Sequence, residues 1–232
     1  NALAQKAHAN NLANISTNGF QRDLEQARSI PVFGDSFPAR AFALTERPAT
    51  DFSPGAMIET GRDLDVAVGG DGWMAVQTPD GSEAYVRSAS MNVDALGVLR
   101  AGNGMPIMGN GGPIAVPPQQ QIEVGADGTV SIRAMGEGPR VMAEVDRIKL
   151  VKPDVKNMTK GLDGTIHTKD GQPAQVDASV KLTSGFLQAS NVNAVEEMTA
   201  VLALSKQFEL HIKMMNSAKE DDQAMTRVLA MS

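Results

Sequence analysis

Three histidines, His8, His167 and His211, are the side chains of this 232-residue chain best suited to proton transfer or metal ligation near neutral pH. They fall in three separate segments, and none has a second ligand type at metal-binding spacing, so no metal site is expected. Asp63 and Asp65, in RDLDVAV, could serve as paired carboxylates in acid/base chemistry. Alternate residues of a strand also share one face, and a solvated strand face is the preferred reading. Gly102-x-Gly104 lacks the third glycine and the strand-to-helix setting of a dinucleotide loop, and no phosphate-binding G-x-x-x-x-G-K-[ST] occurs. Ser205-Lys206 and Ser217-x-Lys219 lie in helical sequence that supplies neither a base nor an oxyanion hole. The absence of cysteine removes thiolate chemistry, Cys-based zinc sites and disulfides together. No catalytic, cofactor-binding or metal-binding residue is therefore assigned, and the chain is read as a non-enzyme.

Charge and hydropathy narrow the partners. With 27 acidic against 21 basic residues the formal net charge is −6, and no Lys/Arg cluster tracks a phosphate backbone, so nucleic acid is not expected as a partner. No apolar stretch approaches the roughly 18 residues that span a bilayer, and direct membrane insertion is not expected. The sequence opens on Asn1 with no basic-then-apolar leader, and it is expected to lack its native first residues.

The elements follow from the distribution of Gly and Pro. All 12 prolines lie between Pro31 and Pro173 and all 22 glycines between Gly19 and Gly185, leaving both ends free of the residues that helix interiors reject. This predicts a turn-rich centre between two helical arms. Asp-Gly recurs at Asp71, Asp80, Asp127, Asp163 and Asp170. Two of these pairs sit in hairpin settings: Trp73 to Thr78 against Glu83 to Arg87, and Ile122 and Val124 against Val130 and Ile132. A further strand is predicted over Val145 to Val151. The resulting fold class is α+β. An antiparallel β domain over residues 61–160 follows an extended, partly hairpin-like linker over 21–60 and precedes a variable return segment over 161–189.

The last helix is predicted over 190–232, starting near Asn193 with Glu196 three residues on, as in a capping box. Its apolar stripe runs through Met198, Val201, Leu204, Phe208, Ile212 and Met215, then Ala218, Met225 and Leu229, with 201, 208, 215 and 229 in one seven-residue register interrupted by His211 and Asp222. A partner follows such a register by supercoiling left-handedly, so the helix is expected to pair in coiled-coil fashion. At 1.5 Å per residue, nearly forty residues would extend about 60 Å, well past a domain of this size. The 13 methionines fit uneven helix interfaces better than a promiscuous groove, since Met198, Met214, Met215 and Met225 fall at helical spacings. The N-terminal helix, within 1–20, places Ala2, Leu3, Ala4, Ala7, Ala9, Leu12 and Ala13 on every side, as in a helix surrounded by neighbours.

Where arm meets centre stands NNLANISTNGF, Asn10 to Phe20. Asparagine amides suit a helix exit because they cap backbone groups and tolerate positive φ, and Gly19 is expected to occupy that region. The stretch resembles the N-terminal signature of the flagellar axial proteins, the rod and hook family. Asn11, Leu12, Ala13, Asn14, Ser16, Thr17, Gly19 and Phe20 match that signature. Ser190, Asn191, Val192 and Asn193 resemble the same family's opening of the last helix. The chain length, the segment Gly112 to Pro117 and the stretch Gln207 to Lys213 resemble proximal rod members more than distal rod or hook members.

What the resemblance implies is structural. Subunits would be exported unfolded through the flagellar type III apparatus and would assemble in the periplasm with other rod proteins and with copies of themselves. The product would be the basal-body shaft that transmits torque from motor to hook, with paired terminal helices as an inner tube and β domains outside. No catalysis or cofactor is implied. A distal rod or hook-type axial protein is the alternative within the family. A carbohydrate-binding or adhesin-like β module is the alternative from another class, and it leaves both helical arms without a role. In the free subunit the arms are expected to be disordered or frayed, since little covers their apolar groups before assembly.

Overall fold

The structure is a computed structural model that describes residues 2–25, 27–31, 41–45, 49–134, 142–161 and 163–230. Within these the side chains at 2, 27–31, 41–45, 224 and 227–230 are not described. The architecture is α+β, antiparallel strands with a short N-terminal and a long C-terminal helix. The chain divides into two units. The β unit comprises Asn14–Arg22 and Thr50–Val192, and the helical unit comprises Asn1–Ala13, Asp23–Ala49 and Asn193–Ser232.

Both hairpins expected from Asp-Gly turns are present in the β unit. Trp73–Gln77 pairs with Glu83–Val86, with Ala75 opposite Tyr85, and Gln119–Val124 pairs with Thr129–Ala134, with Ile122 opposite Ile132. The first hairpin lies inside a five-stranded sheet ordered Leu150–Val151, Trp73–Gln77, Glu83–Val86, Ile166–Thr168, Met158–Lys160. Its alternation explains why both faces are covered. Met74 and Val76 point into a large cluster with Val66, Leu99, Ile107, Ile114, Val130 and Ile148. Trp73 and Ala75 point the other way, into a smaller cluster with Tyr85, Val151, Met158 and Ile166. Tyr85 lies deep in the smaller cluster, and burial pushes its phenol up to about 12 while its oxygen accepts the Ala174 N–H at 2.7 Å. Residues 166–188, read from the sequence as a return segment, contribute strands here. Ile166–Thr168 sits within the five-stranded sheet, Leu182–Ser184 pairs with Asp65–Val68, and Phe186–Gln188 pairs with Met57–Glu59.

The strand expected over Val145 to Val151 is two strands. Ala143–Arg147 pairs with Thr129–Ala134, whereas Leu150–Val151 pairs with Trp73–Gln77. Between them Ile148 N–H donates to Gly128 O at 2.8 Å and Lys149 N–H to Met108 O at 2.8 Å, so the chain changes sheets at these two residues. The apolar pattern shifts by one residue at the corner, from Val145 to Ile148, a break short enough to be passed over within a seven-residue run.

In the helical unit, Ala27–Pro31 and Ala41–Thr45 form an antiparallel hairpin within the segment read as a partly hairpin-like linker. Helix α1 spans Ala2–Ala13 and α2 spans Ala194–Ala230. Asn193 caps α2, its Oδ1 accepting the N–H of Val195 at 3.0 Å and of Glu196 at 3.4 Å. Ala4, Ala7 and Asn11 are buried and His8 and Leu12 half-buried, one stripe at i, i+3, i+4, i+7 and i+8. The remainder of α1, including Leu3 at 51% exposure, is open, so within one chain the helix has a single covered face. The matching face of α2 is Ala194, Glu197, Ala200, Val201, Leu204 and Ser205.

Candidate assembly site

The first motif forms a turn with two successive reversals. Asn14 O accepts from Thr17 N at 3.1 Å, and Thr17 O accepts from Phe20 N at 3.2 Å. The Thr17 hydroxyl donates to Asn14 Oδ1 at 3.2 Å. Gly19 has φ +72°, the left-handed region anticipated for it, and donates its N–H to Gln188 O at 2.7 Å. A side chain here would be strained in φ and would bring its Cβ to 3.3 Å from Ser88 N. Phe20 is buried, and the Lys160 ammonium lies 3.6 Å from its ring centroid while donating to Gln21 O at 2.7 Å. Leu12, Asn14 and Ile15 are half-buried, and Ala13, Ser16 and Thr17 are exposed.

The second motif closes on the first. Asn191 donates its backbone N–H to Phe20 O at 3.3 Å and accepts the Arg22 N–H on Oδ1 at 2.7 Å. Its Nδ2 donates to Asp51 O at 2.9 Å and Ser53 O at 3.0 Å. Gln21, 1% exposed, aims its amide nitrogen at the same two carbonyls, 2.9 Å from Asp51 O and 3.1 Å from Ser53 O in the orientation that satisfies both amide atoms. Two amides thus hold three chain segments together without a charge. Ser190 Oγ accepts the Val192 N–H at 3.2 Å, and Val192 is half-buried. Burial acts to raise the Asp51 carboxyl, but hydrogen bonds from Ser53 and the nearby Arg22 outweigh it and hold it below the usual carboxylate range.

The segment 51–53 is also fixed from below. Arg87, 2% exposed, lies 4.2 Å over the Trp73 ring centroid and donates to Phe52 O at 2.7 Å and to Gly70 O, while Phe52 meets Trp73 edge-to-face. Burial lowers the Arg87 guanidinium from its ordinary value. Gly55 leaves this segment so close to the chain's return that a Cβ would stand 2.0 Å from Ala189 O.

In the helical unit Asn11 is fully buried. Its Nδ2 donates to Asp23 O at 2.8 Å and to Glu197 Oε1 at 3.2 Å, and its Oδ1 accepts the Asp23 N–H at 2.8 Å. Glu197, 2% exposed, also receives His8 Nδ1 on Oε2 at 2.5 Å.

The proposed seam residues divide by position along α2. Val201 and Leu204 are half-buried on the face toward α1. Met198 is 53% exposed, Phe208 58%, Ile212 38% and Met215 60%; the side chain of Leu229, like that of Ala2, lies outside the described residues. From Lys206 to Gln223 every α2 residue is exposed. At 3.6 residues per turn the exposed apolar groups surround the axis, with Val195, Met198 and Leu202 on one side. Phe208, Ile212 and Met215 occupy a second side, and Leu210, Met214 and Met225 a third. The sequence reading had set out one stripe; the helix presents three. It missed Gln21, Gly55, Arg87 and Glu197. Only Glu197 carried a local signal, as an acid four residues before Val201 on an otherwise apolar stripe. Among the described residues no helix is long and apolar enough to cross a membrane.

Two family models match the chain. Flagellar basal body rod FlgEFG protein C-terminal matches residues 183–228, and the flagellar hook protein FlgE/F/G D1 domain matches residues 67–132. The chain is 40% identical to the flagellar basal-body rod protein FlgF of Escherichia coli (strain K12), over 98% of this chain and 93% of the relative. It is 38% identical, over the same shares, to FlgF of Salmonella typhimurium (strain LT2). It is 28% identical to the flagellar basal-body rod protein FlgG of Bacillus subtilis (strain 168), over 91% of this chain and 88% of the relative.

Proposed function

Because the chain belongs to the FlgF-type flagellar basal-body rod proteins, we propose that it polymerises through its terminal helices into the proximal part of the rod. The family is structural, so the chain is a rod subunit of the basal body and not an enzyme, and it assembles with other basal-body rod proteins. The observation that carries the mode of assembly is the exposure of apolar groups beyond Ser205 on two sides of α2, Phe208, Ile212 and Met215 on one and Leu210, Met214 and Met225 on another. Apolar groups on more than one side of a helix are covered only by more than one neighbour, and a single chain covers one face of the first three turns of α2. Copies of this chain and neighbouring rod proteins supply the remaining cover, and the seven-residue register supports coiled-coil pairing there. Identity of 40% to the Escherichia coli FlgF, against 28% to the Bacillus subtilis FlgG, supports a proximal position.

The division of labour follows from the chemistry. The chain's tube domain combines residues 1–20 with 190–232. Residues 61–160 are the centre of the β domain, to which the linker 21–60 and the return 161–189 add strands, Met57–Glu59 from the first and Ile166–Thr168, Leu182–Ser184 and Phe186–Gln188 from the second. Within the helical unit Asn11 holds Asp23 and Glu197, and within the β unit Asn191 holds Phe20, Arg22 and the 51–53 segment, so that torque passes through hydrogen-bonded backbone in each. Arms with little internal cover suit passage unfolded through the type III export apparatus and folding on assembly in the periplasm.

Phe208→Asp tests this reading. Phe208 is exposed in the single chain, so the β unit should fold and melt as in the parent. In a packed interface the unpaired carboxylate costs several kcal/mol, so motility and incorporation into isolated basal bodies should be lost. Parental motility with the variant incorporated would contradict the reading.

A further inference from the structure

The contact between α1 and α2 is almost free of directional chemistry. On α1 it consists of Ala4, Ala7, His8, Asn11 and Leu12, and alanines fit equally well against many positions of an apolar helix. One group is different. Glu197 is a buried carboxylate whose two oxygens are each taken by a separate α1 side chain, Oε2 by His8 Nδ1 at 2.5 Å and Oε1 by Asn11 Nδ2 at 3.2 Å. A carboxylate oxygen accepts, so His8 donates through Nδ1, as the Nδ1–H tautomer and the imidazolium both do.

We propose that Glu197 is the register-setting residue of the helix pair, fixing where along α2 the short helix α1 docks. A slip of one turn, about 5.4 Å, would set Val201 or Asn193 opposite His8 and Asn11 and leave Glu197 covered without its donors. Near Glu197 the other acidic residue of α2 is Glu196, turned about 100° around the axis, and Glu209 lies about three turns on and on another side, so no nearby position reproduces the arrangement. Asn11 simultaneously holds Asp23, which ties the chosen register to the strand leaving the helix. The pair therefore separates two tasks: alanines allow close approach, and one carboxylate selects the position.

The chain contains no cysteine, so disulfide mapping in this chain has no background. Ala4→Cys would be combined in turn with cysteine at Val201, Leu204, Ser205 and Phe208, a panel spanning two turns of α2. A disulfide requires Cβ atoms about 3.5 to 4.5 Å apart, so each partner reports one register. In the otherwise unchanged chain one position should crosslink about tenfold more than positions a turn away. Glu197→Gln, which still accepts from Asn11, should keep that preference. Glu197→Leu should spread crosslinking across the panel. An unchanged single preference in Glu197→Leu would overturn the proposal, as would equal loss of preference in both variants. If α1 fails to dock at all in Glu197→Leu, the exchange His8→Glu with Glu197→His decides. Recovery of one preferred crosslink supports register selection, and no recovery overturns it.

Discussion

Asn11 takes both backbone groups of Asp23, donating to its carbonyl and accepting from its N–H at 2.8 Å each, as one strand takes the next in a ladder. No other residue type does this while also donating to Glu197: aspartate lacks the donor and leucine lacks both groups. Asn11→Asp should destabilise the docking of α1 by about 2 to 3 kcal/mol, since it leaves a buried carbonyl unpaired and sets a second carboxylate against Glu197. Hydrogen exchange at the amides of Ala4 to Asn11 reads this, and unaltered protection there would contradict it.

Two glycines act for different reasons, and their alanine variants should differ in size. Gly19→Ala retains a positive φ at a cost on the order of 1 to 2 kcal/mol, with only slight crowding against Ser88. Gly55→Ala meets the Ala189 carbonyl head-on and forces the two segments apart, costing about 2 to 3 kcal/mol. Denaturant midpoints of the β unit should therefore fall further in Gly55→Ala. The reverse order would show that the turn conformation at Gly19 outweighs the close approach at Gly55.

Acid should loosen the hairpin turns at a defined pH. The Thr78 hydroxyl, then Ser82, holds the Asp80 carboxyl at about 2, and Thr129, then Arg147, holds Asp127 at about 2. Carboxyls depressed in the folded state contribute stability above their unfolded value near 3.9, and that contribution is lost as pH falls through about 2. The double variant Asp80→Asn with Asp127→Asn should be less stable than the parent at pH 7. The two stabilities should converge by pH 2, as followed by urea midpoints. A constant gap across that range would remove these carboxylates from the acid response.

What the sequence disclosed was whatever chemistry is local. The Trp73 and Gln119 hairpins were legible because alternation and the Asp-Gly turn lie within a dozen residues. The start of α2 was legible because Asn193 caps amides only two and three positions away. Gln21 and Asn191 converge on the Asp51 and Ser53 carbonyls from opposite ends of the chain, and residue type alone marks neither partner. The three-sided surface of α2 was compressed into one stripe because a seven-residue count follows only Val201, Phe208 and Met215. Leu210 and Met214 lie outside that count and are exposed as well. Gly55 looked like any glycine beside a proline, since the Ala189 carbonyl it avoids is brought in by the return of the chain.

The central claim is that α2 beyond Ser205 awaits partners. Isolated helix without tertiary cover is marginal in water, and each ordered backbone residue costs about 1 to 2 kcal/mol. Hydrogen exchange on the dilute free chain and on assembled rods compares the two states directly. In the free chain, Lys206 to Thr226 should exchange nearly as fast as an unfolded peptide, while Trp73–Gln77 and Glu83–Val86 are strongly protected. In the rod, the same stretch of α2 should become as protected as those strands. Equal protection of Lys206 to Thr226 in the free chain and the rod, or fast exchange there in the rod, would contradict the account.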